Sequence, residues 1–272
     1  MLKKRKHVRG ERSNIIFEMK RTAHSAAVIA ASFSICSGVT FSDGGGSSSA
    51  RRIRTSVAKY PNLVVAYQSK PLLSLFTILR DKSTGHRDFT HAADRILRLL
   101  AEEGLAESRV LTHKIVKTPC GEYEGLTSKD DGETICVVSI VRAGDTLQEA
   151  VRNVAPGVLL GKILIQRDET TAEKAPRLYF VKLPPRESYK KVILVDPMLA
   201  TGNSAIMAIR ELIRAGVKEE DIVFLNVVAC PEGLEGIFTS FPKIRVVTGS
   251  IDSHLDSNLY IVPGLGDFGD SA

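Results

Sequence analysis

The stretch that most constrains this chain is residues 191–216, KVILVDPMLATGNSAIMAIRELIRAG. Val192, Ile193, Leu194 and Val195 leave no polar face, the pattern of a strand covered on both sides in a parallel sheet. Ile206, Ile209, Leu212 and Ile213 then recur at helical spacing, and Gly216 follows Arg214 as a helix stop. Between strand and helix lie Asp196, Pro197, Met198, Leu199, Ala200, Thr201, Gly202, Asn203 and Ser204. Amides at a helix N-terminus and the positive end of its dipole attract phosphate, and Gly202 permits close backbone approach. Thr201 and Ser204 add hydroxyl donors. Asp196, at the carboxyl end of the strand, can accept from sugar hydroxyls or meet a metal-bound ligand, because ligands of open α/β sheets sit beyond that edge. The Walker pattern GxxxxGK[ST] is absent. On spacing alone, an ordinary strand-to-helix turn capped by Thr201 or Ser204 fits equally well.

The other segments extend the pattern. Asn62 to Ala66 reads as a strand, Pro71 to Leu79 and Asp88 to Glu103 as helices, and Leu111 to Thr118 and Glu133 to Val141 as strands. Val158 to Gln166 and Leu178 to Val181 are strands flanking a polar stretch from Arg167 to Arg177, which reads as an exposed hairpin or flap. A lid has a purpose wherever water must be kept from an activated sugar. Ile222 to Ala229 is a strand, apolar except for Asn226, Pro231 opens a helix to Phe241, and Arg245 to Thr248 is a further strand. Strands alternating with helices imply a doubly wound, mainly parallel α/β sheet. Arg142 lies at the carboxyl edge of one buried strand, followed by Ala143 and Gly144, a combination that suits an anion. Arg80, Asp81 and Lys82 read as subunit or loop contacts, and His91 as an exposed side chain.

Charge narrows the partners. The net charge of +6 is concentrated in residues 1–59, which hold 12 Lys or Arg against Glu11, Glu18 and Asp43; residues 60–272 hold 25 basic and 28 acidic side chains. The folded part therefore gives no electrostatic reason to expect nucleic-acid binding. Residues 1–59 are expected to be a basic, Ser/Gly-rich disordered extension, dispensable for activity, with the domain running from 60 to 272. Their composition also admits a transit peptide, a signal-like start at Met19 or an upstream start codon. Cys36, Cys120, Cys136 and Cys230 show no zinc or CxxC spacing, and such sparse usage fits free thiols in a reducing compartment. No apolar run reaches the roughly 18 residues that span a bilayer, so a cytoplasmic protein is expected, with organellar targeting by the extension left open.

The C-terminal run YIVPGLGDFGD, residues 260–270, packs three Gly and one Pro into a sharply turned loop with exposed amides and carbonyls. Backbone atoms so presented can read the alternating donors and acceptors of a pyrimidine edge, and Phe268 offers a surface for a ring.

Three of these segments carry a family resemblance. VDPMLATGNSA resembles the ribose-5-phosphate loop of the phosphoribosyltransferases, and its DPMLATG spelling that of uracil phosphoribosyltransferase. QRDETTAE is similar to eukaryotic-type members, and YIVPGLGDFGD to their uracil-recognition segment. The resemblance covers roughly residues 60–270. It implies a type I phosphoribosyltransferase-like fold with a hairpin flap and a small C-terminal hood over the base. It also implies transfer of the 5-phosphoribosyl group from phosphoribosyl diphosphate to uracil, giving UMP and diphosphate. The site residues carried over are Arg142 in the pyrophosphate loop, Arg167 on the diphosphate, and Asp196 to Ser204 on the ribose phosphate. Ile261, Gly266 and Phe268 would face uracil, mainly through backbone atoms, and Asp267 the ribose and diphosphate. Arg142, Asp196 and Asp267 are the expected catalytic set. Mg²⁺ would be carried by the substrate rather than by a protein cage. A dimer or tetramer, and GTP as an effector, are the remaining implications. The family pattern continues past GD with an Arg and an aromatic residue, whereas Ser271 and Ala272 stand here, which bears on how the base loop is braced. A non-catalytic nucleotide-binding regulator of the same fold is the rival expectation.

Overall fold

The computed structural model describes residues 48–109, 111–128, 134–167, 176–266 and 268, with the side chain of Arg167 excepted. The expectations for residues 1–47, the 168–175 flap and Asp267 lie outside the described residues.

The apolar runs become neighbouring strands of one sheet. In chain order the strands are β1 (Leu63–Val65), β2 (Leu111–Thr118), β3 (Gly121–Ser128), β4 (Ile135–Val141), β5 (Leu159–Arg167), β6 (Pro176–Lys182), β7 (Lys191–Val195), β8 (Met198–Leu199), β9 (Ile222–Ala229), β10 (Arg245–Ile251), β11 (His254–Leu255) and β12 (Ile261–Val262). The helices are α1 (Ser48–Lys59), α2 (Lys70–Arg80), α3 (His86–Ser108), α4 (Gly144–Val154), α5 (Asn203–Arg214) and α6 (Pro231–Ser240). The main sheet runs β1-β10-β9-β7-β4-β5-β6, with the short β8 also paired to β9. Its pairs are parallel except β5 with β6.

Alternation along each strand decides which layer a side chain enters. Val137, Ile193, Val195, Val223, Leu225 and Val247 face one layer, where Leu97 and Leu100 of α3 and Leu147 and Val151 of α4 complete the core. Val138, Val192, Leu194 and Phe224 face the other, against Ala208, Ile209 and Leu212 of α5 and Ile237 of α6. The helices following β4 and β7 thus lie on opposite faces of adjacent parallel strands. That arrangement is the topological switch point of a doubly wound sheet, and it opens a crevice at the strands' carboxyl ends.

Two sequence expectations are corrected here. The stretch 48–59, read as disordered extension, is the helix α1. Ile53 packs against the second core layer, Tyr60 stacks on Phe238 at 4.5 Å, and Lys59 and Tyr60 both bond Glu235. Ile53 and Ser56 are i, i+3 neighbours on its docked side, a pattern hidden by four basic residues in twelve. The segment 121–128, which carries no strand pattern in the sequence, forms β3, an antiparallel partner of β2 in a separate two-stranded sheet. Its two glycines and two glutamates conceal it, because register with Leu111–Thr118 rather than burial creates the strand.

Candidate active site

The switch-point crevice collects the predicted anion loops. Arg142 follows directly on β4 and is exposed, and Gly144 opens α4 immediately after. A Cβ on Gly144 would lie 2.5 Å from the Val195 carbonyl oxygen, so the start of α4 abuts the end of β7, where Asp196 begins the phosphate loop. Asp145 steadies this turn: its carboxylate accepts from the Ser139 hydroxyl and pairs with Lys162 Nζ at 2.9 Å, while its N–H donates to the Arg142 carbonyl at 3.0 Å. Gln148, buried beneath, donates to the Val137 and Gly161 carbonyls at 2.8 Å each and ties α4 to β4 and β5.

The phosphate loop is held from behind by β9 and α6. The Asp196 N–H donates to the Leu225 carbonyl at 3.2 Å, and the Pro197 carbonyl accepts from Val227 and Val228. Met198 and Leu199 pair with β9 as β8. The Leu199 carbonyl accepts from the Cys230 N–H at 3.1 Å, and the Cys230 thiol contacts the Ala200 carbonyl at 3.0 Å. Burial pushes that thiol up to about 12, so it stays protonated and can donate. Gly202, at φ +82°, turns the chain into α5 as its N-cap, and no side chain caps the helix. The alternative of a turn capped by Thr201 or Ser204 is therefore not what forms. Thr201 Oγ1 makes only a 3.4 Å contact to the Asn203 N–H. A glycine N-cap offers no side chain to the amides that follow it, an arrangement that suits an anion.

The base segment lies in the α3 layer. Ile261, Leu265 and Phe268 are buried, and Phe268 packs on Phe89 with ring centroids 5.8 Å apart. The expectation that the Phe268 ring would offer a surface to a base is therefore corrected: its side chain is 1% exposed and plugs the loop into the core. Any contact from Phe268 to a base would come from its backbone. Gly266, at φ +83°, is exposed, and a Cβ there would meet nothing within 4 Å. The loop is thus anchored through Leu265 and Phe268 and open at Gly266.

Arg167 ends β5, the neighbour of β4, on the same carboxyl edge. Three supports carry little local sequence signal: Cys230, Gly233 and Asp252; Arg80, read from sequence as a subunit or loop contact, does contact a loop, through the Gly264 carbonyl. Gly233 lets α6 sit against the phosphate loop, since its Cβ would lie 2.5 Å from the Ala200 carbonyl. Glu232 beside it, which burial alone would raise, is held below the usual carboxylate range by backbone N–H groups including that of Leu255. Among the described residues no group of three or more His, Cys, Asp or Glu could hold a metal ion.

A doubly wound α/β fold with an uncapped helix start at its switch point, flanked by Arg142, defines a protein that binds a phosphorylated ligand. Comparison with known proteins sharpens that class. The family model for uracil phosphoribosyltransferase matches residues 66–272. The chain is 50% identical over 214 residues to uracil phosphoribosyltransferase 1 of Schizosaccharomyces pombe, covering 79% of this chain and 95% of that protein. It is 49% identical over 212 residues to the uracil phosphoribosyltransferase of Saccharomyces cerevisiae, covering 78% and 95%. Among solved structures, the AQ2163 protein of Aquifex aeolicus superposes with a TM-score of 0.62 at 28% identity, covering 77% of this chain and 96% of that one. The chain belongs to the uracil phosphoribosyltransferase family.

Proposed function

We propose that this protein transfers the 5-phosphoribosyl group of phosphoribosyl diphosphate to N1 of uracil, giving UMP and diphosphate. The observation that carries the reading is the uncapped α5 start behind DPMLATG, at the switch point of a chain belonging to this family. The non-catalytic alternative is not favoured, because the match spans about 95% of relatives that carry the transferase name.

The roles assigned to the residues extend this reading. Amides of residues 200–204 hold the 5′-phosphate, and Asp196 accepts from the ribose hydroxyls. Arg142 and Arg167 counter the charge that grows on diphosphate as its bond to C1′ breaks and the C1′–N1 bond forms, and the N1 proton is released. Fixed donors aimed at such charge matter most in a shielded site, where losing one costs roughly 3 kcal/mol. Asp267 stands beside ribose and diphosphate, and backbone atoms at Ile261, Gly266 and Phe268 read uracil. Mg²⁺ would be carried by the diphosphate substrate rather than by a protein cage. Asp196 would face an ion that keeps its waters and substrate oxygens, and such an ion would supply neutralisation of the diphosphate charge.

A homo-oligomer, dimer or tetramer, is part of the reading. It is supported by the β2–β3 hairpin, which exposes Leu111, Ile115, Val116, Tyr123 and Leu126. GTP is carried as a candidate effector and the cytoplasm as the compartment. No helix among the described residues is long and apolar enough to cross a membrane. Incubation with uracil, phosphoribosyl diphosphate and Mg²⁺ tests the reaction: UMP forms with uracil, cytosine and hypoxanthine give no CMP or IMP, and the absence of UMP refutes the reading. Adding GTP to the same mixture tests the effector.

A further inference from the structure

We propose that Arg80 and Asp252 are positioning residues for the base, setting the height of the 261–268 segment that presents backbone atoms to it. The inference rests on the uracil reading of that segment. Arg80 closes α2, and Asp252 follows β10, whose end it shares through an N–H donated to the Ala229 carbonyl at 2.8 Å. Arg80 Nη1 and Nη2 reach Asp252 Oδ2 and Oδ1 at 2.7 Å each, a bidentate pair with the Asp side chain only 3% exposed. Both partners then turn to a single residue of the base segment. Arg80 Nη1 donates to the Gly264 carbonyl at 2.8 Å, and Asp252 Oδ2 accepts from the Gly264 N–H at 2.8 Å. Arg80 Nη2 also meets the Ser250 hydroxyl at 3.2 Å.

Gly264 is thus fixed through both of its backbone polar groups. It sits at φ +64°, where a Cβ would fall 2.2 Å from the Ile261 carbonyl oxygen. Two residues on, Gly266 is the exposed point of the loop. A pair serving stability alone could close on itself. This one spends its remaining donor and acceptor on the residue between Ile261 and Gly266, the positions that face uracil in the proposed function. A planar fork serves both Asp252 oxygens and the Gly264 carbonyl from two nitrogens in one fixed geometry, which the single nitrogen of an ammonium on a flexible stem does not provide.

The test compares Arg80→Lys and the milder Asp252→Asn with the parent in full steady-state kinetics. The expected result is a rise of about tenfold or more in KM for uracil, with KM for phosphoribosyl diphosphate within about twofold and kcat little changed. A KM for uracil equal to the parent's, or both KM values rising together in step with a lower thermal midpoint, overturns the proposal. Amide hydrogen exchange supplies a readout that needs no turnover. The Gly264 amide should exchange at least about tenfold faster in both variants while the β9 and α3 amides keep parental rates, and unchanged exchange at Gly264 overturns the proposal even in an inactive protein. A parent that makes no UMP sinks the proposed reaction instead, and the two failures are told apart.

Discussion

Replacing Gly233 by alanine sets two effects of opposite sign against each other. Alanine is favoured over glycine inside a helix by about 1 kcal/mol, so propensity alone predicts a more stable α6. The new Cβ would lie 2.5 Å from the Ala200 carbonyl oxygen, 2.8 Å from Leu199 Cγ and 3.0 Å from the Leu199 carbonyl oxygen. Two of these three atoms are backbone of the phosphate loop, so no rotamer change relieves the crowding. Helix and loop must part by roughly 0.5 Å to restore even a tight contact, and overpacking of this kind costs roughly 1–3 kcal/mol. The penalty exceeds the propensity gain, leaving a net loss of about 1 kcal/mol and a thermal midpoint lower by roughly 2–4 °C. Activity should suffer more than stability. The same carbonyls bind Cys230 through its N–H and thiol, so the displacement passes to Thr201, Gly202 and the first amides of α5. A misplacement near 1 Å at a reacting group can cost about 100-fold, and half of that shift corresponds to about tenfold, or about 1.4 kcal/mol. The assay is UMP formation against phosphoribosyl diphosphate concentration, with the midpoint measured in parallel. Parental kcat/KM together with a raised midpoint would refute the argument that α6 holds the loop.

Arg142→Ala should lower turnover more than tenfold while the thermal midpoint stays within about a degree, and parental steady-state rates would remove Arg142 from its role. A chain starting at Ser48 should match the full chain in midpoint and turnover. One starting at Asn62 loses α1, the Tyr60–Phe238 stack and the bonds to Glu235, and should melt measurably lower; equal midpoints would show that α1 contributes nothing. Burial, aided by the Glu107 charge, raises the Glu103 carboxyl above its ordinary value, so its protonated form is the one the fold favours. That contribution is present below the unfolded value near 4.3 and is lost as pH rises through the folded one. Glu103→Gln should therefore melt roughly 1–2 °C higher at pH 7, with the gap closing below about pH 4, and a constant gap across that range would argue against titration as the cause.

What could be read in the sequence was whatever depends on near neighbours. Val192 to Val195 lie in the strand Lys191–Val195 and Ile222–Ala229 is a strand with its predicted bounds, because runs this apolar are covered on both faces of a parallel sheet. The turn from Asp196 to Ser204 was legible for the same reason, since strand, turn glycine and helix start are contiguous. Helix α1 escaped because four basic residues mask a docked edge, and β3 because its pairing to β2 is a matter of register rather than of burial. Phe268 was assigned to the ligand because its loop is Gly-rich, yet its ring is filled in by Phe89, 179 positions earlier in the chain. An aromatic residue among glycines looks the same from sequence whether it faces solvent, ligand or core.

The partners of these supports were out of reach of the sequence, because each contact spans a long stretch of chain. Arg80 meets Asp252 across 172 residues, and Cys230 meets Ala200 across 30. Neither pair has a spacing rule, because parallel strands bring their carboxyl ends together only after whole helices intervene. The consequence is a division of labour along the sheet edge. Residues that would touch substrate lie in short contiguous segments after β4, β5, β7 and β10, whereas those that set the heights of these segments come from adjacent crossovers. The phosphate loop takes its position from β9 and α6, the pyrophosphate turn from Lys162 of β5, and the base segment from the end of α2. A substitution at a support should therefore alter one substrate's KM and spare the other's, while a substitution in a touching residue should lower kcat. Measured as such a split, the two classes of residue can be separated without a bound ligand in view.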